Sequence, residues 1–318
     1  SILQAVVQAG QTLVDGVGCM GQGVCGSCRV MLRRAGSHEV DTALACETVV
    51  EEGMQVAFLD YFTASVRHSY RLQDIGDSWQ KINSGGTAGY DIEVLLITNK
   101  NNPETPKSDT FYMSNIHARE WAPPEVNLRL AEFLLENYGQ NPDITWMLDY
   151  NRVHMVIVSN PDGRLVDESN YSYLQRKNYN TNHCPGQPGG NIHTGVDLNR
   201  NFPFAWGSGS NQCSETFPGL SAGSEPETIA ITTYLSGIFE DQRGPGENDP
   251  APADTTGMFM DLHSYSELIL YPWGYTYDNA PNHNQLKTVS YKLAYYNNYL
   301  PQKSTTLYPT LGSTDDFV

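Results

Sequence analysis

The apolar pattern is short and broken at the amino end and strong beyond it. Ile2 to Ala9 has helical periodicity, and Cys28 to Leu32 and Thr48 to Phe58 read as short extended runs, so residues 1–58 predict a small, loop-dominated unit. No period is sustained through 59–81, which reads as a linker or adapting region ahead of a second core over 82–318. In that core, Glu93 to Thr98 and Phe111 to Ile116 predict strands on either side of the polar turn NKNNPETPKSD. The run PPEVNLRLAEFLLENYG places Val126, Leu130, Phe133 and Leu134 on one helical face. It starts on prolines, whose missing amide hydrogens are tolerated in a first turn, and stops near Gly139.

Further along, RVHMVIV predicts a buried strand running into SNPDG, SEPETIAITTYLSGIF a helix, and MFMDLH a strand entering SYSELILYPWG. LKTVSYKLAYYNNYL predicts a late helix with Leu286, Val289, Leu293 and Tyr296 on a common side. Strands alternating with helices point to an α/β domain on a mostly parallel or mixed sheet. Gly244 to Asp254 reads as a surface loop, and no internal repeat is visible.

Composition narrows the partners. The 318 residues include 19 Lys plus Arg against 36 Asp plus Glu, a net charge of −17. That balance argues against nucleic acid, because no basic stripe is present to displace phosphate counterions. No stretch approaches the roughly 18 continuous apolar residues of a bilayer crossing. The amino end begins at Ser1 and lacks the pattern of a signal peptide, which leaves the compartment open.

Cysteine placement divides the chain. Cys19, Cys25, Cys28 and Cys46 fall in the first unit, in GCMGQGVCGSCRV and ALAC, where glycines let backbone amides wrap an inorganic core. Four thiolates at such spacing suit a metal-bound centre, with structural zinc and plain thiols as the alternatives. Residues 1–58 resemble a [2Fe–2S] ferredoxin domain, with five residues instead of four between Cys19 and Cys25. That resemblance implies a cluster on these four cysteines and a redox partner.

The second core carries a different chemistry. In SNIHAREWAPPE, His117 and Glu120 follow a predicted strand and precede the strong helix, so both side chains can converge from one short turn. Imidazole nitrogen and carboxylate oxygen suit Zn²⁺, with a third ligand from a distant strand and a fourth position left to water. His263, at the end of MFMDLH, is the natural third candidate, because α/β sites collect at the carboxyl ends of strands.

With these residues in view, the chain from about 70 to 318 resembles the zinc carboxypeptidase family, the carboxypeptidase A and B group. HARE, SNPDG, QRK, DLNRNF, HSYS and TLYPTLGSTDD occur in the family order. The resemblance implies an α/β fold around a twisted, mixed, eight-stranded sheet flanked by helices. It implies zinc on His117, Glu120 and His263, with Arg176 stabilising the oxyanion formed at the scissile carbonyl. Asn199 and Arg200 would clamp the terminal carboxylate of a peptide or protein C terminus, Tyr308 would close over it, and Arg119 would bind residues farther upstream. GSTDD matches the basic-specific members and places Asp315 at the bottom of the specificity pocket, favouring terminal Lys or Arg. The resemblance also implies a Cys184–Cys213 disulfide, with a free thiol pair as the alternative. An extracellular or periplasmic setting follows from the peptidase region, whereas an iron–sulfur cluster favours the cytoplasm.

The family also employs a glutamate as general base about twenty residues beyond the tyrosine loop, and this sequence ends ten residues after Tyr308. The sequence as given is therefore expected to be incomplete at its carboxyl end or catalytically impaired. The alternatives to hydrolysis are a non-catalytic binder of peptide C termini and an iron–sulfur electron-transfer protein.

Overall fold

The computed structural model describes residues 29–35, 41–44, 48–52, 54–58, 70–102, 106–169, 174–186, 193–209 and 211–317. The helical run at Ile2 to Ala9 and the four cysteines Cys19, Cys25, Cys28 and Cys46 lie outside them. The chain divides into two compact units, Ser1–His68 and Ser69–Val318.

In the first unit, β1 (Arg29–Arg33) is the middle strand of an antiparallel sheet, flanked by β2 (Asp41–Leu44) and β3 (Gln55–Phe58). Leu32 on β1 is buried. Of the extended runs anticipated there, the first overlaps β1 and the second contains β3.

The second unit begins inside the stretch that reads as a linker. β4 (Tyr70–Asp77) and the short helix α1 (Trp79–Asn83) occupy it. β4 pairs with the strand Asp91–Ile97, and polar contacts made far along the chain hold the junction with α1, which is why local periodicity is silent. Ser78 Oγ donates to Asp162 Oδ1 at 2.8 Å, and Gln80 N donates to Asp162 Oδ2 at 2.7 Å.

β5 (Asp91–Ile97), β6 (Ser108–Ser114), β7 (Asn151–Val156) and β8 (Met258–Leu262) join β4 in a five-stranded sheet of order β4-β5-β7-β6-β8. The sheet is mixed: β4–β5 and β5–β7 are antiparallel, whereas β7, β6 and β8 run parallel. Among the described residues β9 (Leu268–Tyr271) and β10 (Leu300–Lys303) form a separate parallel pair, so the strands do not make one eight-stranded sheet.

Helices flank the large sheet as the alternation predicts. α2 (Ala122–Asn137) packs on β6, α3 (Pro142–Tyr150) on β7, and α5 (Pro226–Ile238) on β4; α4 (Pro161–Ser169) opens from SNPDG. α5 can approach β4 closely because position 76 is glycine, where a Cβ would stand 2.8 Å from the Ala230 Cβ. Ile92, Val94, Phe111, Met113 and Val156 pack with Ala230, Ile231 and Leu235 of α5 in one core. His154 meets Tyr234 of α5 at 2.8 Å, so the alternating Val153 and Met155, also buried, face the other side of β7.

The buried face of α2 shares only Leu134 with the one periodicity picks. Val126 and Phe133 are 55% and 48% exposed, and Asn127, Ala131, Leu134 and Leu135 face inward. A polar residue leads the inner face because Asn127 Nδ2 donates to Ser114 Oγ at the end of β6. On α6 (His283–Asn297), Val289 and Tyr296 are likewise exposed, and Ser290 and Ala294 are the buried positions.

Two buried carboxyls meet at the start of α5. Asn178 Nδ2 donates to Glu225 Oε2 at 2.8 Å and to Glu227 Oε2 at 3.1 Å, and Trp79 N donates to Glu227 Oε1. Burial pushes the Glu227 carboxyl up to about 8, and the neighbouring Glu225 charge adds to the rise. A carboxyl whose folded pKa exceeds its ordinary 4.5 contributes stability that is complete below 4.5 and lost as pH climbs through about 8. Glu227→Gln, neutral at every pH, is expected to flatten this decline. Thermal unfolding of the variant should change less than that of the wild type over roughly pH 5 to 8, and equal slopes would assign the titration elsewhere.

Candidate metal centre and carboxylate clamp

The parallel strands build the site. β6 and β8 are neighbours, with Ser114 paired to Leu262 at their carboxyl ends, so the loop leaving β6 and the first residue leaving β8 emerge side by side. His117 and Glu120 lie on that loop and His263 follows β8. Asn115 shapes the loop: its backbone is left-handed, with φ 58°, a conformation that asparagine tolerates better than most residues. Its fully buried Nδ2 donates to the carbonyls of His117, Ala118 and Glu120 at 2.9–3.1 Å. The loop is further fixed by Asn160 Nδ2 donating to Ile116 O and by Ala118 N donating to Arg176 O.

These constraints bring the three candidate ligands together. Their ligand atoms lie within 4.8 Å of one another. His117 Nδ1 is 2.9 Å from Glu120 Oε1, and His263 Nδ1 is 3.0 Å from Glu120 Oε2 and 3.1 Å from His117 Nδ1. His117 and Glu120 are buried, and the His263 side chain keeps 32% of its surface exposed. Burial alone would raise the Glu120 pKa, yet its contacts with the two imidazoles hold it well below the usual carboxylate range. Two ring nitrogens that face each other cannot both direct a proton along the same line. A shared cation resolves that conflict, and a nitrogen, nitrogen and carboxylate set is one that Zn²⁺ accepts.

Behind His117 sits Asp197, which is fully buried. Its Oδ1 lies 3.5 Å from His117 Nε2 and accepts Asn199 N at 3.0 Å, while its Oδ2 accepts Arg176 Nε at 3.0 Å. The Arg200 guanidinium stands 4.0 Å from the same Oδ2. Asp197 thus caps the 3₁₀ turn Leu198–Arg200 and holds two cations beside the candidate metal ligands. Arg200 Nη1 also donates to Asn199 O at 2.6 Å, and its guanidinium lies 6.0 Å from the ring of Tyr308, a residue 56% exposed.

The segment carrying DLNRNF is pinned from both ends. Cys184 and Cys213 form the disulfide, closing an interval of 29 residues. Such a closure is worth about 3–4 kcal/mol in the chain-entropy account. Buried Lys177 donates to Gln212 O and Ser214 O, each at 3.0 Å, on either side of Cys213, and also to His193 O. Arg119 pairs with Glu215 on the same loop.

Asp315 and Asp316 differ in environment. Asp316 is buried and accepts Gly274 N at 2.7 Å, and burial together with the Asp315 charge pushes its carboxyl up to about 7. Asp315 is less buried and accepts a hydrogen bond from Ser304 Oγ. Thr314 N donates to Asn199 Oδ1 at 2.9 Å, which joins this turn to the 3₁₀ segment.

Sequence reasoning missed Asn115, Asp197 and Asp261. Asp261 Oδ2 lies 3.0 Å from His263 Nε2. The signal available for Asp197 was its place at the head of DLNRNF, one turn ahead of Arg200; for Asp261 it was a lone acid in the otherwise apolar MFMDL.

A sequence model of the zinc carboxypeptidase family matches residues 56–318. Carboxypeptidase A1 of Mus musculus is 31% identical over 210 residues, 65% of this chain and 44% of that protein. Carboxypeptidase B of Bos taurus is 30% identical over 235 residues, covering 70% and 51% of the two chains. The crystal structure of carboxypeptidase A from Helicoverpa armigera superposes with a TM-score of 0.62 at 26% identity, over 79% of this chain and 56% of that one. The chain thus spans about half the length of the curated relatives it matches.

Proposed function

Because the chain belongs to the zinc carboxypeptidase family, we propose that it holds Zn²⁺ on His117, Glu120 and His263 and hydrolyses the last bond of a peptide, preferring terminal Lys or Arg. The observation that carries this reading is the convergence of the three ligands immediately in front of Asp197 and its two arginines. Bound zinc supplies Lewis-acid polarisation of the scissile carbonyl and a more acidic water.

The protein's own groups do the rest. Asn199 and Arg200 receive the terminal carboxylate, a planar anion that a guanidinium fork matches in two hydrogen bonds. Arg176, tethered through Nε to Asp197, leaves its terminal nitrogens for the oxyanion developing on the carbonyl. Tyr308, exposed beside Arg200, covers the bound residue, and Arg119, paired with Glu215, binds the residues upstream. Asp315 accepts the cationic end of the departing residue. The carboxylates Glu120, Asp197 and Asp261 are engaged by imidazole or guanidinium.

The test is release of a single residue from short peptides ending in Lys, Arg, Phe or Glu by the zinc-loaded protein. Lys and Arg peptides should be cleaved preferentially. Asp315→Asn should lower kcat/KM for the Lys peptide at least about tenfold and leave the Phe peptide unaffected, because only a cationic terminus loses a charge partner. Equal cleavage of all four peptides sinks the specificity. Tight binding without release would turn the reading to a non-catalytic binder of C termini.

The disulfide favours an extracellular or periplasmic setting. Among the described residues no helix is long and apolar enough to cross a membrane. The [2Fe–2S] cluster and its redox partner rest on the spacing of Cys19, Cys25, Cys28 and Cys46 alone, and no part of the proposed reaction depends on them.

A further inference from the structure

We propose that Asp261 is the positioning residue of the metal ligand His263 and that, with Thr314, it ties the metal centre to the carboxylate clamp. The inference rests on the metal-centre reading above and extends it to a residue that touches neither metal nor substrate.

An acidic side chain in a sheet strand is costly unless partners compensate its burial. Asp261 stands on β8, with its side chain only 6% exposed. Its Oδ2 is 3.0 Å from His263 Nε2 and accepts Thr314 Oγ1 at 2.8 Å, while its Oδ1 is buried with no hydrogen-bond partner. Among the described residues its ion pair is with His263, and the imidazole and the Thr314 hydroxyl are the partners that hold it.

The contact fixes a tautomer. A carboxylate oxygen only accepts, so Nε2 carries the proton and the lone pair of His263 falls on Nδ1. Nδ1 is the nitrogen that faces His117 Nδ1 and Glu120 Oε2. A carboxylate behind a ligating imidazole orients the ring and raises its basicity. Thr314 extends the chain of contacts: its hydroxyl holds Asp261, and its backbone N–H holds Asn199 Oδ1. His263 and Asn199 are therefore joined by three hydrogen bonds through Asp261 and Thr314, although Asn199 and Thr314 are 115 residues apart in sequence.

Zinc dissociation constants, measured by competition with a chromophoric chelator, test this on the whole chain. Asp261→Ala is expected to weaken Zn²⁺ binding about 10- to 100-fold, and Asp261→Asn, which keeps an acceptor without the charge, by less. Thr314→Val retains the backbone donor to Asn199 and deletes only the hydroxyl; the expected loss is about three- to tenfold. Unfolding midpoints of the metal-free proteins, expected to be alike for Asp261→Asn and wild type, separate positioning from a general loss of structure. Should the alanine variant fail to fold, the asparagine variant decides. Wild-type affinity in Asp261→Asn and Asp261→Ala overturns the inference and leaves the metal centre intact. A wild-type chain that binds no zinc overturns both.

Discussion

His117→Ala is expected to strip the chain of tightly held zinc and to lower kcat/KM for release of a terminal Lys at least about 10³-fold. The Lewis acid is worth several kcal/mol of transition-state stabilisation, and each 1.4 kcal/mol or so is a factor of ten. The geometry makes His117 the hardest ligand to replace. It sits between Glu120 and Asp197, buried, with Nδ1 toward the other ligands and Nε2 toward the carboxylate that holds both arginines. Water entering the vacated space could occupy a coordination position but could not restore a nitrogen donor oriented by Asp197. Metal analysis after dialysis and peptide assays at matched protein concentration check the prediction. A variant that retains one zinc per chain would falsify the assigned ligand set, whatever its activity.

How much of this was legible beforehand depends on the range of the interaction. His117 and Glu120 are three residues apart, so their chemistry is local, and His263 is marked by the end of an apolar strand. The strands of the large sheet were legible for the same reason, since alternation and apolar runs are local signals. What stayed hidden is held by distant partners. β4 and α1 lie in a stretch of weak periodicity; β4 is held by its pairing with β5, and the start of α1 by Asp162 and Glu227 far along the chain. On α2, periodicity favoured Val126 and Phe133, but Asn127 faces in, its amide donating to Ser114 at the end of β6. Asp197 and Asp261 read as ordinary acids until the fold sets arginines behind one and an imidazole and a threonine against the other. The candidate metal ligands were therefore easier to read than the residues that hold them in place.

Asp197→Ala should be the most damaging change away from the metal ligands. Arg176 and Arg200 are both nearly buried, and Asp197, fully buried, is the carboxylate between them. Removing one member of a buried ion pair costs about 3–5 kcal/mol, because the charge left behind is uncompensated. The loss here should sit at the upper end, since two cations are stranded and the cap on Asn199 N disappears with them. Burial by itself would raise the Asp197 pKa, but Arg176, Arg200 and the contact with His117 hold it far below the ordinary carboxylate range. The sign follows: a depressed carboxylate contributes stability that is present above its unfolded pKa of about 3.9 and is lost as pH falls toward the folded value. The gap in unfolding free energy between wild type and Asp197→Ala should therefore be widest near neutrality and narrow below about pH 4. Under the proposed reaction kcat should fall by about 100-fold or more even where the variant is folded, because Arg176 loses the Asp197 tether that would hold it for the developing oxyanion. A gap that stays constant into acid would mean that shape, not charge, is what Asp197 contributes. A folded variant with undiminished kcat would show that Arg176 finds its position without it.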